Sequence, residues 1–236
     1  MVYKQRPEGR KFDETRKVEA KVGIIPRADG SAMFRIGNTI AYAAVYGPRN
    51  LHPRFLQDPS KGILRCNYNM MPFSSFGERV RPGGSRRSKE ISLVTQKALL
   101  PVLDLNEYPN SVVDVFIEFP QTEAGSRCAG ISAAAMALAD AGLSMKDLVS
   151  AVSVGRVDDK LVVDLDYNEE SYDGPVADIP VAMMPNHDKI TLLQMDGLIS
   201  KEELKKVIEM AKKACKDIYK VQNKALKERY QAEAKF

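Results

Sequence analysis

Gly125-Ser126-Arg127 stand where a strand-like run gives way to a helix of small residues, in the stretch "EAGSRCAGIS". A helix N-terminus offers unpaired N–H groups and the positive end of the helix dipole, so it favours an anion. The dipole alone contributes about 0.3–1 kcal/mol at an exposed site. A serine hydroxyl and an arginine fork beside it turn that weak preference into a phosphate site. The bland alternative is an ordinary N-cap, with Arg127 paired to Glu123.

Two further constellations carry charge in a useful pattern. Arg86 and Arg87 follow two glycines in the basic cluster "GERVRPGGSRRSKE", so backbone and side chains can both approach a polyanion. The stretch "DLDYNEESYDGPVADIP" holds Asp164, Asp166, Glu169, Glu170, Asp173 and Asp178 between two apolar runs. Oxygen ligands at this density suit Mg²⁺ or Mn²⁺, although the spacing is not that of an EF-hand. Solvated basic and acidic loops are the plain alternatives. Arg54 and Arg65 flank the polar loop "LHPRFLQDPSKG"; Arg65, inside a strand pattern, reads as a surface residue. The combined demand is for a phosphate pocket, basic loops for a longer polyanion, and carboxylates for a divalent ion. No Walker loop, Rossmann fingerprint or Ser-His-Asp arrangement is present. His52 and His187 are the only histidines.

Strands and helices must place these groups. Lys17 to Ile25 alternates as a strand, and "SAMFRIGNTIAYAAVYG" predicts a hairpin turning at Gly37-Asn38. A long polar loop follows, then the strand-like "ILRCNYNMMPF". Ile91, Val94, Ala98, Leu99 and Leu103 share one stripe of a helix expected over 88–104, entered through a flexible basic loop. "SVVDVFIEF" is a strand, and the helix after it runs to about Ala141 with Gly142 as its stop. Hairpins are predicted at Asp158-Asp159 and near Asn186-His187. The last helix opens on a capping box, Ser200 with Glu203, and its apolar stripe weakens beyond Val221, where fraying or a partner is expected. Strands followed by helices, twice, predict a two-lobed α+β fold.

Composition sets the class. The 236 residues are 44% hydrophobic and 28% charged, ordinary for a soluble globular protein with a real core. The N-terminus is charged and lacks the apolar centre of a signal peptide. No run approaches the roughly 20 apolar residues of a membrane helix. Cys66, Cys128 and Cys215 have no metal-ligand spacing and predict free thiols in a reducing, cytoplasmic setting. A net charge of +4 permits a nucleic-acid partner without demanding one.

"RPEGRKFDETR", "GNTIAYAAVYGPR", "GSRRSKEIS", "EAGSRCAGISAAAMALADAG" and "ADIPVAMMP" resemble, in this order, the RNase PH family of phosphorolytic exoribonucleases. The resemblance runs from about Arg6 to the last helix. Within the family, the "GSRRS" loop, "AMMP" and the extended N-terminus are most like the catalytic exosome members. The resemblance implies an RNase PH fold, related to ribosomal protein S5 domain 2, with lobes over 17–147 and 148–213, an N-terminal extension 1–16 and a helical tail 214–236. It implies degradation of single-stranded RNA from the 3′ end, with inorganic phosphate as nucleophile, nucleoside diphosphates as products and tailing as the reverse reaction.

Motif by motif, Gly125, Ser126 and Arg127 match the phosphate turn, and Arg86 and Arg87 match residues on the RNA's 3′-terminal phosphates. Arg54 matches a loop touching incoming RNA, and Arg65, flanking the same loop, is counted with it as a candidate RNA contact. Asp178 matches the principal catalytic carboxylate and, with Mg²⁺ or Mn²⁺, a metal ligand. The family's second Asp aligns with Glu170 across a short insertion, with Asp173 as rival. The implied partners are a related inactive subunit alternating in a hexameric ring, and a trimeric RNA-binding cap. A stand-alone enzyme trimming transfer RNA and a non-catalytic ring subunit are the alternatives within the family.

Overall fold

The computed structural model describes residues 3–6, 9–75, 80–81 and 83–233. Gly77, Glu78, Arg79 and Pro82 of the expected basic loop, and Pro7 and Glu8 of the N-terminal motif, lie outside the described residues.

The first lobe is built from β1 (Val18–Val22), β2 (Gly30–Ile36), β3 (Thr39–Asn50), β4 (Ile63–Met70), α1 (Arg86–Leu99) and β5 (Ser111–Gln121). Its sheet runs β1-β2-β3-β5-β4. The β2–β3 hairpin turns at Gly37, whose φ of 55° suits a residue without a Cβ. β4 pairs in parallel with β5, and α1 lies in the chain between them. A parallel pair needs such a crossover. The long loop holds a 3₁₀ turn over Arg54–Leu56. The helix expected over 88–104 starts earlier, capped by Ser85 and Ser88, and ends at Leu99. A 3₁₀ turn containing Pro101 takes over, because proline cannot continue the α-helical ladder.

Next come α2 (Ser126–Asp140), β6 (Ser150–Val157), β7 (Lys160–Val163), α3 (Tyr167–Glu170), β8 (Val176–Met184), β9 (Lys189–Leu193), β10 (Asp196–Gly197) and α4 (Lys201–Glu233). The second sheet runs β10-β8-β6-β7, with β9 also on β8. The hairpins turn at Asp158 and Asp188, both at positive φ. The acidic stretch is not a plain loop: it contains α3, whose capping box joins Asp166 and Glu169.

α2 lies between the two sheets, against β2, β3 and β5 on one side and β6 and β8 on the other. That position explains its composition. Residues from Cys128 to Leu138 are all buried, so every face meets protein and large side chains have no room. A Cβ on Gly130 would lie 3.2 Å from the Phe119 ring. α4 packs on β6, β7, β8 and β1 and so ties the lobes together. It continues past Val221, where fraying was expected. Gln222 is fully buried, accepts from Ser150 Oγ at 2.6 Å and donates to the carbonyls of Ser132 and Val149. A polar anchor holds the helix where the apolar stripe thins.

The N-terminal segment packs against the second lobe. Tyr3 joins Val157, Val162 and Leu165 in a small apolar cluster. Arg6 is buried and pairs with Glu169 at 2.7 Å. Among the described residues, no helix is long and apolar enough to cross a membrane.

Candidate active site

A cleft of about 740 Å³ opens between the lobes. Gly125, Ser126, Arg127 and Cys128 line its floor, Arg81, Ser85, Arg87 and Ser88 one wall, and Ser153, Glu170, Asp178 and Asp196 the other. Two helix N-termini therefore meet here, and they differ. The first turn of α1 is closed by its own side chains: Ser88 N–H donates to Ser85 Oγ, and Ser85 N–H to Ser88 Oγ. The first turn of α2 starts from Gly125 at φ 67°, which has no side chain to cap it. The first α2 hydrogen bond runs from Ala129 N–H to the Gly125 carbonyl. Ser126 stands inside the helix as its first residue, and its Oγ accepts from Tyr68 Oη at 2.8 Å. The α2 terminus is the one open to an anion.

Arg127 does not pair with Glu123. Its Nη2 lies 3.8 Å from Glu90 Oε1, and Glu123 pairs with Arg16 at 3.4 Å. Arg127 Nε is buried and, among the described residues, has no hydrogen-bond partner. An unmade buried donor is costly, about 1–3 kcal/mol, so a ligand that accepts from it gains correspondingly.

The acidic wall sorts its six carboxylates by what holds them. Asp164 is taken by Arg16, Glu169 by Arg6, and Asp166 lies 3.8 Å from Arg10. Glu170 and Asp178 face the cleft. Asp173 is exposed and outside the cleft lining. Burial pushes the Asp178 carboxyl above its usual range, against the hydrogen bond from Ser153 Oγ and the charge of Arg127. Glu170 is exposed to solvent. The protein around it, and then the Asp178 charge, still push its carboxyl up to about 7. Two carboxylates that resist ionising together hold either a proton or a cation.

A divalent ion fits this pair. Mg²⁺ is commonly held by one or two carboxylates with waters and substrate phosphates completing its shell. Glu170 and Asp178 supply two, and among the described residues no group of three potential ligands is present.

The remaining expected residues lie elsewhere. Arg86 is exposed and outside the cleft lining, whereas Arg87 belongs to it. Arg54 begins the 3₁₀ turn of the loop between β3 and β4, beside the 84% exposed Phe55. Arg65 makes a two-pronged pair with Asp114 at 2.7 and 2.8 Å on the sheet surface. Tyr68, Ser153, Gln194 and Asp196 were not singled out from sequence. Each enters the cleft from a strand or its end, where no local motif marks it.

A model described as the 3′ exoribonuclease family, domain 1, matches residues 14–144. Its companion for domain 2 matches residues 147–214. The exosome complex component Rrp41 of Methanopyrus kandleri is 51% identical over 225 residues, covering 95% of this chain and 93% of that protein. Its counterpart in Thermococcus gammatolerans is 50% identical over 226 residues, covering 96% and 90%. The crystal structure of rice Rrp46 superposes with a TM-score of 0.84 at 22% identity, covering 94% of this chain and 100% of that one. An Archaeoglobus fulgidus exosome with RNA bound to the active site gives 0.76 at 23% identity, with 91% of each chain covered. Those two likenesses speak for the fold. The chain belongs to the RNase PH family of 3′ exoribonucleases.

Proposed function

We propose that this protein is a phosphate-dependent 3′→5′ exoribonuclease, the catalytic chain of an exosome ring. The observation that carries this is the cleft itself. The α2 N-terminus, without a side-chain cap, and Arg127, whose Nε has no partner among the described residues, line one cleft together with Glu170 and Asp178.

Phosphorolysis must bring two anions together. Ser126, Arg127 and the first-turn N–H groups of α2 hold inorganic phosphate, and Arg87 offsets the charge of the terminal diester. Phosphate is already ionised at neutral pH, so its attack needs no general base, which fits a cleft without histidine. A phosphate oxygen bonds to the phosphorus of the last nucleotide, and the bond to the 3′-oxygen of the preceding ribose breaks. The last nucleotide leaves as a nucleoside diphosphate, and the shortened RNA keeps a free 3′-hydroxyl. Asp178, pushed towards its protonated form by burial, returns a proton to the departing oxygen. With Asp178 ionised instead, Glu170 and Asp178 would together hold Mg²⁺ or Mn²⁺, which would supply charge neutralisation at the diester and the departing oxygen in place of that proton. Glu170 is preferred over Asp173 as the second ligand because it lines the cleft.

Arg54 and Phe55, away from the cleft, suit a contact with RNA before it reaches the site. Leu198, 83% exposed beyond the short β10, suits cover by a neighbouring ring subunit. We take that neighbour to be a related inactive subunit, with RNA-binding cap subunits above the ring. The test of the pocket is substitution of Arg127 by Met. Loss of phosphate-dependent nucleotide release with retained binding of RNA supports it, and unchanged phosphate dependence contradicts it.

A further inference from the structure

Arg16 lies two residues before β1, far in sequence from every part of the cleft, and its side chain is 1% exposed. Its backbone N–H and its Nε both donate to Asp164 Oδ2, at 2.7 and 2.9 Å, and its Nη2 donates to Asp164 Oδ1 at 2.8 Å. The same Nη2 donates to the Ala124 carbonyl at 3.2 Å, and Nη1 reaches Glu123 Oε2 at 3.4 Å. Glu123 and Ala124 lead directly into Gly125 and α2. Asp164 continues the path: its N–H donates to the Ser153 carbonyl at 2.6 Å, and Ser153 Oγ donates to Asp178. One guanidinium thus joins the turn that opens the phosphate site to Asp164, which reaches Asp178 of β8 through Ser153 of β6.

One glycine makes room for it: a Cβ on Gly37 would lie 2.5 Å from Arg16 Cδ. Lysine is no substitute here. Its single ammonium cannot span a carboxylate, a carbonyl and a second carboxylate in one plane.

We propose that Arg16 is a positioning residue, which sets the separation between bound phosphate and the carboxylate wall by bridging Glu123–Ala124 to Asp164. The proposal rests on the phosphorolytic reading above and deepens it. Small displacements of a reacting group lower rates steeply, with about 1 Å able to cost about a hundredfold. Arg6 provides the control. It is equally buried and ties the same N-terminal segment to Glu169 and to the carbonyls of Val163 and Asp164. Among the described residues, it makes no hydrogen bond to the Glu123–Gly125 turn.

The experiment compares wild type, Arg16→Lys and Arg6→Lys as full chains assembled with the ring partner. It measures melting temperature, RNA affinity in phosphate-free buffer, and kcat and KM for phosphate separately. Arg16→Lys is expected to lower kcat/KM for phosphate about tenfold or more, with RNA affinity unchanged. Arg6→Lys is expected to lower the melting temperature and leave kcat/KM for phosphate in place. An unchanged kcat/KM for phosphate in Arg16→Lys, or equal shifts in both variants, overturns the proposal. If Arg16→Lys does not fold, Asp164→Asn breaks the same bridge from its other end and is judged by the same criteria. Wild type that releases no nucleoside diphosphate refutes the phosphorolytic reading instead, so the two failures are distinguishable.

Discussion

Glu169 and Glu170 are neighbours on one turn of α3, and the protein treats them in opposite ways. Glu169 is fully enclosed, with Arg6 on both oxygens, Tyr3 Oη at 2.5 Å and the Asp166 N–H at 2.9 Å. Burial alone would raise its carboxyl, but these partners together hold it below its usual range. Glu170 has desolvation and the Asp178 charge against it, and its carboxyl moves up to about 7. The same division runs through the arginines. Arg6 and Arg16 are committed to carboxylates of their own chain, while Arg127 keeps a buried donor without a partner. The satisfied charges Arg6, Arg16 and Glu169 stand outside the cleft lining, and Glu170, Asp178 and Arg127 belong to it.

The largest expected effect is on the structural side of that contrast. Glu169→Gln leaves Arg6 buried without its counter-charge and should cost about 3–5 kcal/mol in a denaturation experiment. Glu170→Gln should leave metal-free stability unchanged at low pH and raise it as pH climbs from the unfolded carboxyl value of about 4.3 towards about 7, while lowering activity. The pH dependence has a matching sign. Because the folded Glu169 carboxyl is depressed, its contribution is complete above the unfolded value of about 4.3. It is lost as pH falls through the lower folded value, so amide protection of the N-terminal segment should fail first on acidification. Glu170→Gln destabilising as much as Glu169→Gln would break the comparison.

Next in size is Asp178→Asn, which should lower turnover about 10²- to 10⁴-fold with the melting temperature retained. Near-normal turnover would remove Asp178 from both proposed roles. Gly125→Ala places a Cβ on a residue at φ 67° and should cost about 1–2 kcal/mol of stability. It should also weaken phosphate binding, measured as the phosphate KM. Smallest is Arg65→Ala. Its exposed pair with Asp114 is worth about 0–1 kcal/mol, and phosphate KM and turnover should stay at wild-type values. A loss of RNA affinity in this variant would move Arg65 from the satisfied charges to the ligand-facing ones.

Much of the site was legible in the sequence where chemistry is local. A glycine, a serine and an arginine at a strand-to-helix junction mark α2 and its open terminus. The capping box at Ser200 and Glu203 marks the start of α4, and both of its hydrogen bonds form. What was illegible depends on partners distant in the chain. Six carboxylates in one stretch look alike until Arg6, Arg10 and Arg16 arrive from the N-terminus and take three of them. Ser153 and Asp196 reach the cleft through the register of β6 and β10 on β8, which no local spacing encodes. Gln222 holds the far half of α4 by polar contacts, so a search for apolar periodicity ends the helix too soon.

The most direct test of the account follows a 3′-end-labelled single-stranded RNA with Mg²⁺, the chain and its ring partner, in buffer with and without phosphate. Nucleoside diphosphates released only when phosphate is present are the predicted result, and they identify the anion at the α2 terminus as the nucleophile. Monophosphates released regardless of phosphate, or no product at all, would contradict it.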